Sequence, residues 1–194
     1  RPKCLWHDRE GAWLVKFRHT YDPKDIGRME YKYNEVARKC GINVPDYKLL
    51  DGKYFASKRF DIENGKRLHI ATAGALLNES ISNPKLDYKV LLHLTGYLTQ
   101  DSQQVDEMFQ RMVFNVLTDN KDDHVKNFSF ICREGKWSLA PAYDLTLCKE
   151  GYHGEHATSA NNKGNPDIED MLAVGESIRI PRRKGMEIIN HMIN

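Results

Sequence analysis

Asp122 and Asn127 stand five positions apart in TDNKDDHVKNFSF, residues 118–130, which gathers Asp119, Asn120, Asp122, Asp123 and Asn127 ahead of an apolar run. A carboxylate placed to accept a hydroxyl proton and a neutral amide oxygen able to ligate a divalent cation are what phosphoryl transfer asks of a loop. Asp144, in PAYDL, would add the anionic oxygen that a phosphate-bridging Mg²⁺ takes from protein. Lys16, in WLVKF, is a candidate cation for the phosphates, and Glu30, on the following helix, is a candidate partner for it. Each piece has a plainer reading. Asp and Asn serve turns, a lysine in an apolar strand more often faces solvent, and Glu30 also suits a helix N-terminus. His124 among carboxylates suggests zinc, but no second histidine lies at helical spacing. Counted from Asp119, a calcium loop would need glycine at His124 and glutamate at Phe130, so an EF-hand is excluded.

The pattern of apolar residues indicates what must position these groups. GAWLVKF, residues 11–17, reads as a strand after a turn at 8–11, with Leu14 and Lys16 on one face and Trp13, Val15 and Phe17 on the other. Met29, Tyr33, Val36, Ala37 and Cys40 give a helical stripe that ends at Gly41. DYKLLDGKYFASKRF reads as a hairpin turning at Asp51 and Gly52. Leu86, Val90, Leu94, Tyr97 and Leu98 predict a second helix. Val105, Met108, Phe109, Met112, Val113, Val116 and Leu117 predict a third, which runs into the Asp122 loop. Its methionines and Phe109 read as core. NFSFICREGKWSLAP predicts a hairpin with Asp144 at the end of its second strand. Residues 150–165 predict a long mobile loop, and the chain from Asp167 is mostly helical, with Arg182, Arg183 and Lys184 as a solvated helix start. The expected layout is a small β-rich lobe over residues 1–65 and a helical lobe over 66–194, with a ligand cleft between lobes.

Charge and composition narrow the classes. A net charge of +2 makes no electrostatic case for direct nucleic-acid or membrane binding. No apolar run approaches a membrane span, and RPKCLWHDREG is no signal peptide. The four cysteines, Cys4, Cys40, Cys132 and Cys148, form no C-x-x-C pair. Reduced thiols in a cytoplasm fit them better than a metal or redox motif.

As an ordered set, these stretches resemble the HipA family, bacterial serine/threonine kinases known as toxins of toxin–antitoxin pairs. The resemblance is carried by RPK at residues 1–3, WLVKF, EYKYNEVARKCGINVP, KRFD, FNVLTDNKDDHVKNFSF, WSLAPAYDL and HATSANNKG, over most of the chain up to Gly164. The block from DDHVKNFSF to LAPAYDL is its specific part.

The resemblance implies an α+β, two-lobed protein-kinase-like fold, with a small, mainly β lobe followed by a mainly helical one. It also implies ATP and Mg²⁺ as cofactors. Asp122 would be the catalytic base, with His124 and Lys126 beside the transferring phosphate. Asn127 and Asp144 would hold Mg²⁺, and Lys16 would contact the ATP phosphates. Lys3 would follow the family's glycine-rich loop, which the resemblance puts ahead of Arg1 together with the N-terminal subdomain. Lys58, Phe60 and Asp61 would belong to the hinge that meets adenine. Family members often carry an acidic residue where Lys58 stands, which directs adenine contacts there to the backbone. The implied partners are a protein substrate, with aminoacyl-tRNA synthetases as the family's precedent, and an antitoxin protein that links the toxin to DNA. Two other readings stay open: a kinase-like module that binds without turnover, and a small-molecule kinase.

Overall fold

The computed structural model describes residues 1–80 and 86–194. The chain divides into two units, one of Arg1–Leu68 with Pro141–Leu147, the other of His69–Ala140 with Cys148–Asn194. Residues 141–147 therefore belong with the first unit, whereas the sequence layout leaves them in the second.

In the first unit, β1 (Lys3–Asp8) and β2 (Gly11–Lys16) form a hairpin, with Lys3 opposite Lys16 and Asp8 opposite Gly11. Asp8 closes the turn by accepting from the Glu10 amide at 2.9 Å and the Trp13 indole at 2.8 Å. Helix α1 spans Ile26–Lys39 and is followed by the hairpin of β3 (Tyr47–Leu50) and β4 (Tyr54–Lys58). Its turn uses Asp51 at φ 49° and Gly52 at φ 66°, the left-handed geometry that an Asp-Gly pair supplies. The sheet order is β1-β2-β4-β3. Trp13, Val15 and Ala56 are buried on one face, while Leu14 and Lys16 line a cavity on the other.

Helix α1 and its C-cap bury Ala37 and Cys40 of the expected stripe, but the centre of the helix's inward face is set by other residues. Its buried residues are Ile26, Gly27, Glu30, Asn34 and Ala37, while Val36 is 46% exposed. A carboxylate is buried only against a cation. Lys16 provides it, so the helix presents Glu30 rather than a full apolar row. Gly27 is required by proximity, because a Cβ there would lie 2.0 Å from the Lys53 carbonyl oxygen. Arg28 Nε donates to the Gly52 carbonyl at 2.6 Å and fixes the same end of the helix to the same turn. A small hairpin, β5 (Ile62–Glu63) with β6 (Lys66–Arg67), completes the unit.

The second unit opens with β7 (His69–Thr72) and α2 (Ala73–Leu77). Helices α3 (Tyr88–Thr99) and α4 (Ser102–Leu117) start at Asp87 and Asp101, whose carboxylates cap them. Met108, Phe109, Met112 and Val113 of α4 lie in the core as their periodicity predicts. The face of α3 differs from expectation: Tyr88, Leu91, Leu92 and Thr95 are buried, whereas Val90 is exposed and Tyr97 is 80% exposed. Tyr88 turns that face inward because its hydroxyl has a buried acceptor in Asp123. Strands β8 (Ser129–Arg133) and β9 (Lys136–Leu139) form the expected hairpin, and β7 joins it as a third strand. Asp144 is not at the end of β9; it sits five residues beyond it at φ 57°.

Helices α5 (Ile168–Ser177) and α6 (Arg182–Ile193) close the chain, α5 with a capping box between Asp167 and Asp170. Arg182 and Arg183 pair with Glu169 and Glu187, as suits a solvated helix start. No helix among the described residues is long and apolar enough to cross a membrane.

Candidate active site

The six expected site residues that fall in the first unit, Lys3, Lys16, Lys58, Phe60, Asp61 and Asp144, line one cavity of about 400 Å³. Leu5, Leu14, Phe55 and Tyr143 supply its apolar walls. The rings of Phe60 and Tyr143 lie 5.7 Å apart at 30°. Register puts Lys3 directly opposite Lys16, so two ammonium groups come from the same end of the β1–β2 hairpin.

Lys16 is only 7% exposed, against the plain reading of a strand lysine in water. Its ammonium donates to Glu30 Oε1 at 2.6 Å and also to Asp144 Oδ1. Arg1 holds the other Glu30 oxygen at 2.7 Å. Burial by itself would lower the Lys16 pKa, but the charges of Asp144 and Glu30 outweigh it and raise the value. Burial would raise Asp144, yet Lys16 first, with help from Lys3 and Arg1, lowers it, so the carboxylate stays ionised.

The hinge candidates differ from one another in how far they are already engaged. Asp61 is held by Arg59, with Nε to Oδ1 at 2.8 Å, and that hydrogen bond lowers its pKa. The Lys58 amide donates to the Asp46 carbonyl at 2.7 Å and the Arg59 amide to the Ala12 carbonyl at 2.8 Å. Those two backbone donors are therefore not available to a purine edge.

In the second unit, Asp122, His124, Lys126 and Asn127 share one short loop that ends in a 3₁₀ turn over Val125–Asn127. The Asp122 side chain is 55% exposed. Asn127 Nδ2 donates to the Asp122 carbonyl at 2.8 Å, so the five-residue spacing closes a hydrogen-bonded ring and leaves the Asn127 amide oxygen outside that bond. His124 Nε2 lies 3.8 Å from Asp122 Oδ1.

Sequence reasoning gave no role to Asp123. It is buried, and its Oδ2 accepts from the Tyr88 hydroxyl at 2.7 Å and lies 2.9 Å from His156 Nδ1. Its Oδ1 accepts from the Thr158 amide at 3.2 Å, and its carbonyl accepts from the Thr158 hydroxyl. The doubled DD was a signal, but its partners lie 35 and 33 residues away with no spacing rule to reveal them. The expected mobile loop is tied down over the same stretch. His156, Thr158 and Ala160 are buried, and Ser159 and Asn162 are bonded to Leu86 and Asp87.

The donor set fits a nucleotide with a divalent cation. The first unit's cavity has apolar walls, the cations of Lys3 and Lys16, and two ionised carboxylates, Asp61 held by Arg59 and Asp144 held by Lys16. Among the described residues, no group of three or more His, Cys, Asp or Glu side chains could hold a metal by itself. Magnesium bound through one or two carboxylates and the phosphates needs no such cage.

A family model described as the HipA-like C-terminal domain matches residues 1–194. The chain belongs to this family. A Sinorhizobium fredii relative named "Putative kinase Y4dM" is 27% identical over 169 residues, 78% of this chain and 41% of the relative. A chain of the Shewanella oneidensis MR-1 toxin–antitoxin complex of HipA, HipB and operator DNA superposes with a TM-score of 0.82 at 19% identity, covering 98% of this chain and 54% of that one. The Helicobacter pylori proinflammatory kinase CtkA superposes with a TM-score of 0.62 at 14% identity, covering 98% and 88%. These likenesses show that the HipA-like domain has the α+β, kinase-like fold. The domain spans about two-fifths of the curated relative's length and about half of the Shewanella chain.

Proposed function

We propose that this HipA-like domain transfers the γ-phosphate of ATP to a serine or threonine hydroxyl of a protein, with Mg²⁺. The observation that carries the reading is Lys16, a buried lysine bonded at once to Glu30 and Asp144 on the wall of an apolar cavity. That arrangement pre-forms the strand-lysine and helix-glutamate pair that protein kinases need.

In this reading Leu5, Leu14, Phe55, Phe60 and Tyr143 enclose the purine, with the segment of Lys58 and Asp61 along its edge. Lys16 and Lys3 neutralise phosphate oxygens. Asp144 and the Asn127 amide oxygen would hold Mg²⁺, which when bound offsets the charge of the phosphates. Asp122 accepts the proton of the attacking hydroxyl, and His124 and Lys126 stand beside the phosphate in transit. Positioning and fixed charge supply most of the rate. The likeness to the HipA–HipB–DNA complex supports a toxin role in a bacterial cytoplasm, with an antitoxin as partner and DNA reached through it. Aminoacyl-tRNA synthetases are the substrate class that the family resemblance suggests.

The test is calorimetric titration with ATP, with and without Mg²⁺, followed by radiolabelled ATP and a protein acceptor. Label in protein that disappears in Asp122→Ala supports the proposal. Nucleotide binding with no transfer would leave a binding module, and label in a small metabolite would make it a small-molecule kinase.

A further inference from the structure

We infer that Asp123 is a positioning residue, which aims Asp122 by anchoring its loop to residues 156–158 through a buried Tyr88–Asp123–His156 cluster. The inference rests on the reading of Asp122 as catalytic base.

Asp123 uses both carboxylate oxygens and its carbonyl on groups from two other segments: Tyr88 at the start of α3, and His156 and Thr158 beyond the hairpin. All of these residues are buried. Burial and the neighbouring Asp123 charge push the Tyr88 phenol well above its usual range, so it remains a donor. The cluster continues through Asn115, whose Nδ2 donates to the Tyr88 hydroxyl at 2.9 Å and whose Oδ1 accepts from Asn120 at 2.8 Å. The loop is thus bonded inward at Asn120 and Asp123. With Asp123 held inward, the Asp122 side chain stays 55% exposed, and His124 Nε2 lies 3.8 Å from its Oδ1. A buried carboxylate this fully bonded has one low-energy position, and it fixes the backbone that carries Asp122. Residues 156–158 and the Asp122 loop are therefore held to one another through Asp123.

The test compares Asp123→Asn, Tyr88→Phe, His156→Ala and His156→Asn in the whole chain, with Asp122→Ala alongside. Asp123→Asn is expected to lower kcat by about tenfold to a hundredfold, the cost of a small misplacement of a catalytic group, with nucleotide affinity unchanged. Amide exchange is expected to accelerate at residues 121–127 and not across the second unit's core. Tyr88→Phe, which keeps the ring, should show the same pattern more weakly. His156→Asn, whose amide can donate in place of Nδ1, should restore what His156→Ala loses. Unchanged exchange at 121–127 in both Asp123→Asn and Tyr88→Phe would overturn the inference. So would exchange that rises across the whole unit in both. If the wild-type chain transfers no phosphate, the proposed function fails by itself, and local exchange still decides whether Asp123 holds the loop.

Discussion

Lys16 donates to Glu30 across 2.6 Å, joining β2 to the inward face of α1, and the same ammonium reaches Asp144. Neither Lys16 nor Glu30 is exposed enough to rely on water. Removing the cation would leave a buried carboxylate with Arg1 as its remaining partner. Lys16→Met is therefore expected to cost about 3 kcal/mol of unfolding free energy, the low end for breaking a buried pair. Lys16→Met combined with Glu30→Met should recover part of that loss. Urea denaturation measures both, and a single variant within about 0.5 kcal/mol of wild type would show that Arg1 alone satisfies Glu30.

Gly27 lets α1 meet the β3–β4 turn, since an added Cβ would overlap the Lys53 carbonyl oxygen. Backbone cannot move aside as a flexible side chain can. Gly27→Ala is expected to destabilise the first unit by about 2 kcal/mol, despite alanine's better helix propensity. Thermal unfolding would show it as a lowered Tm, and an unchanged Tm would mean that the helix shifts along the sheet at little cost.

Asp8 is held down to about 2, chiefly by its hydrogen bond from Lys48, with the Trp13 indole and the Glu10 amide adding to it. A carboxyl depressed in the folded state adds stability that is complete above its unfolded value and is lost as pH falls through the folded one. The Tm advantage of wild type over Asp8→Asn should hold steady from about pH 7 to about pH 5 and then shrink toward pH 2. Because the group is at the surface, salt should reduce the advantage at every pH.

The sequence made the local parts legible and the long-range parts only where a motif stood in for them. The Asp51–Gly52 turn, the α4 core row and the β8–β9 hairpin follow from rules that act over a few residues. The helix faces of α1 and α3 did not, because buried partners decided them: Lys16 draws Glu30 inward, and Asp123 draws Tyr88 inward. The same holds at the candidate site. Asp122 and Asn127 show in a five-residue spacing, whereas the bonds from His156 and Thr158 to Asp123 span loop and helix with no periodic signal. Asp144 was expected at a strand end and lies beyond one, since its unit and its positive φ depend on contacts such as Ala142 with Asn43.

Asp144 offers the one ionised carboxylate of the first unit's cavity that is not held by a guanidinium; Lys16 holds it instead. If it ligates Mg²⁺, Asp144→Asn should abolish the metal dependence of ATP binding. The wild-type chain is expected to bind ATP at least about tenfold more tightly with Mg²⁺ than with EDTA, and the variant to show almost no difference. Equal metal dependence in both would remove Asp144 from the metal site.

If Asp122 is the base and Asp144 a metal ligand, the two carboxylates separate in kinetics. The Asp122 side chain is over half exposed and lies on a loop closed by Asn127, while Asp144 is bonded to Lys16. A base acts on the acceptor's proton and adds nothing to nucleotide binding. Asp122→Asn keeps size and hydrogen bonding but cannot take a proton. It is expected to lower kcat by roughly 10²- to 10⁴-fold with the affinity for Mg–ATP unchanged. Asp144→Asn should lose both. Single-turnover transfer measured beside calorimetric titration distinguishes the two patterns. A loss of nucleotide affinity in Asp122→Asn equal to its loss of rate would mean that this carboxylate serves binding rather than proton transfer.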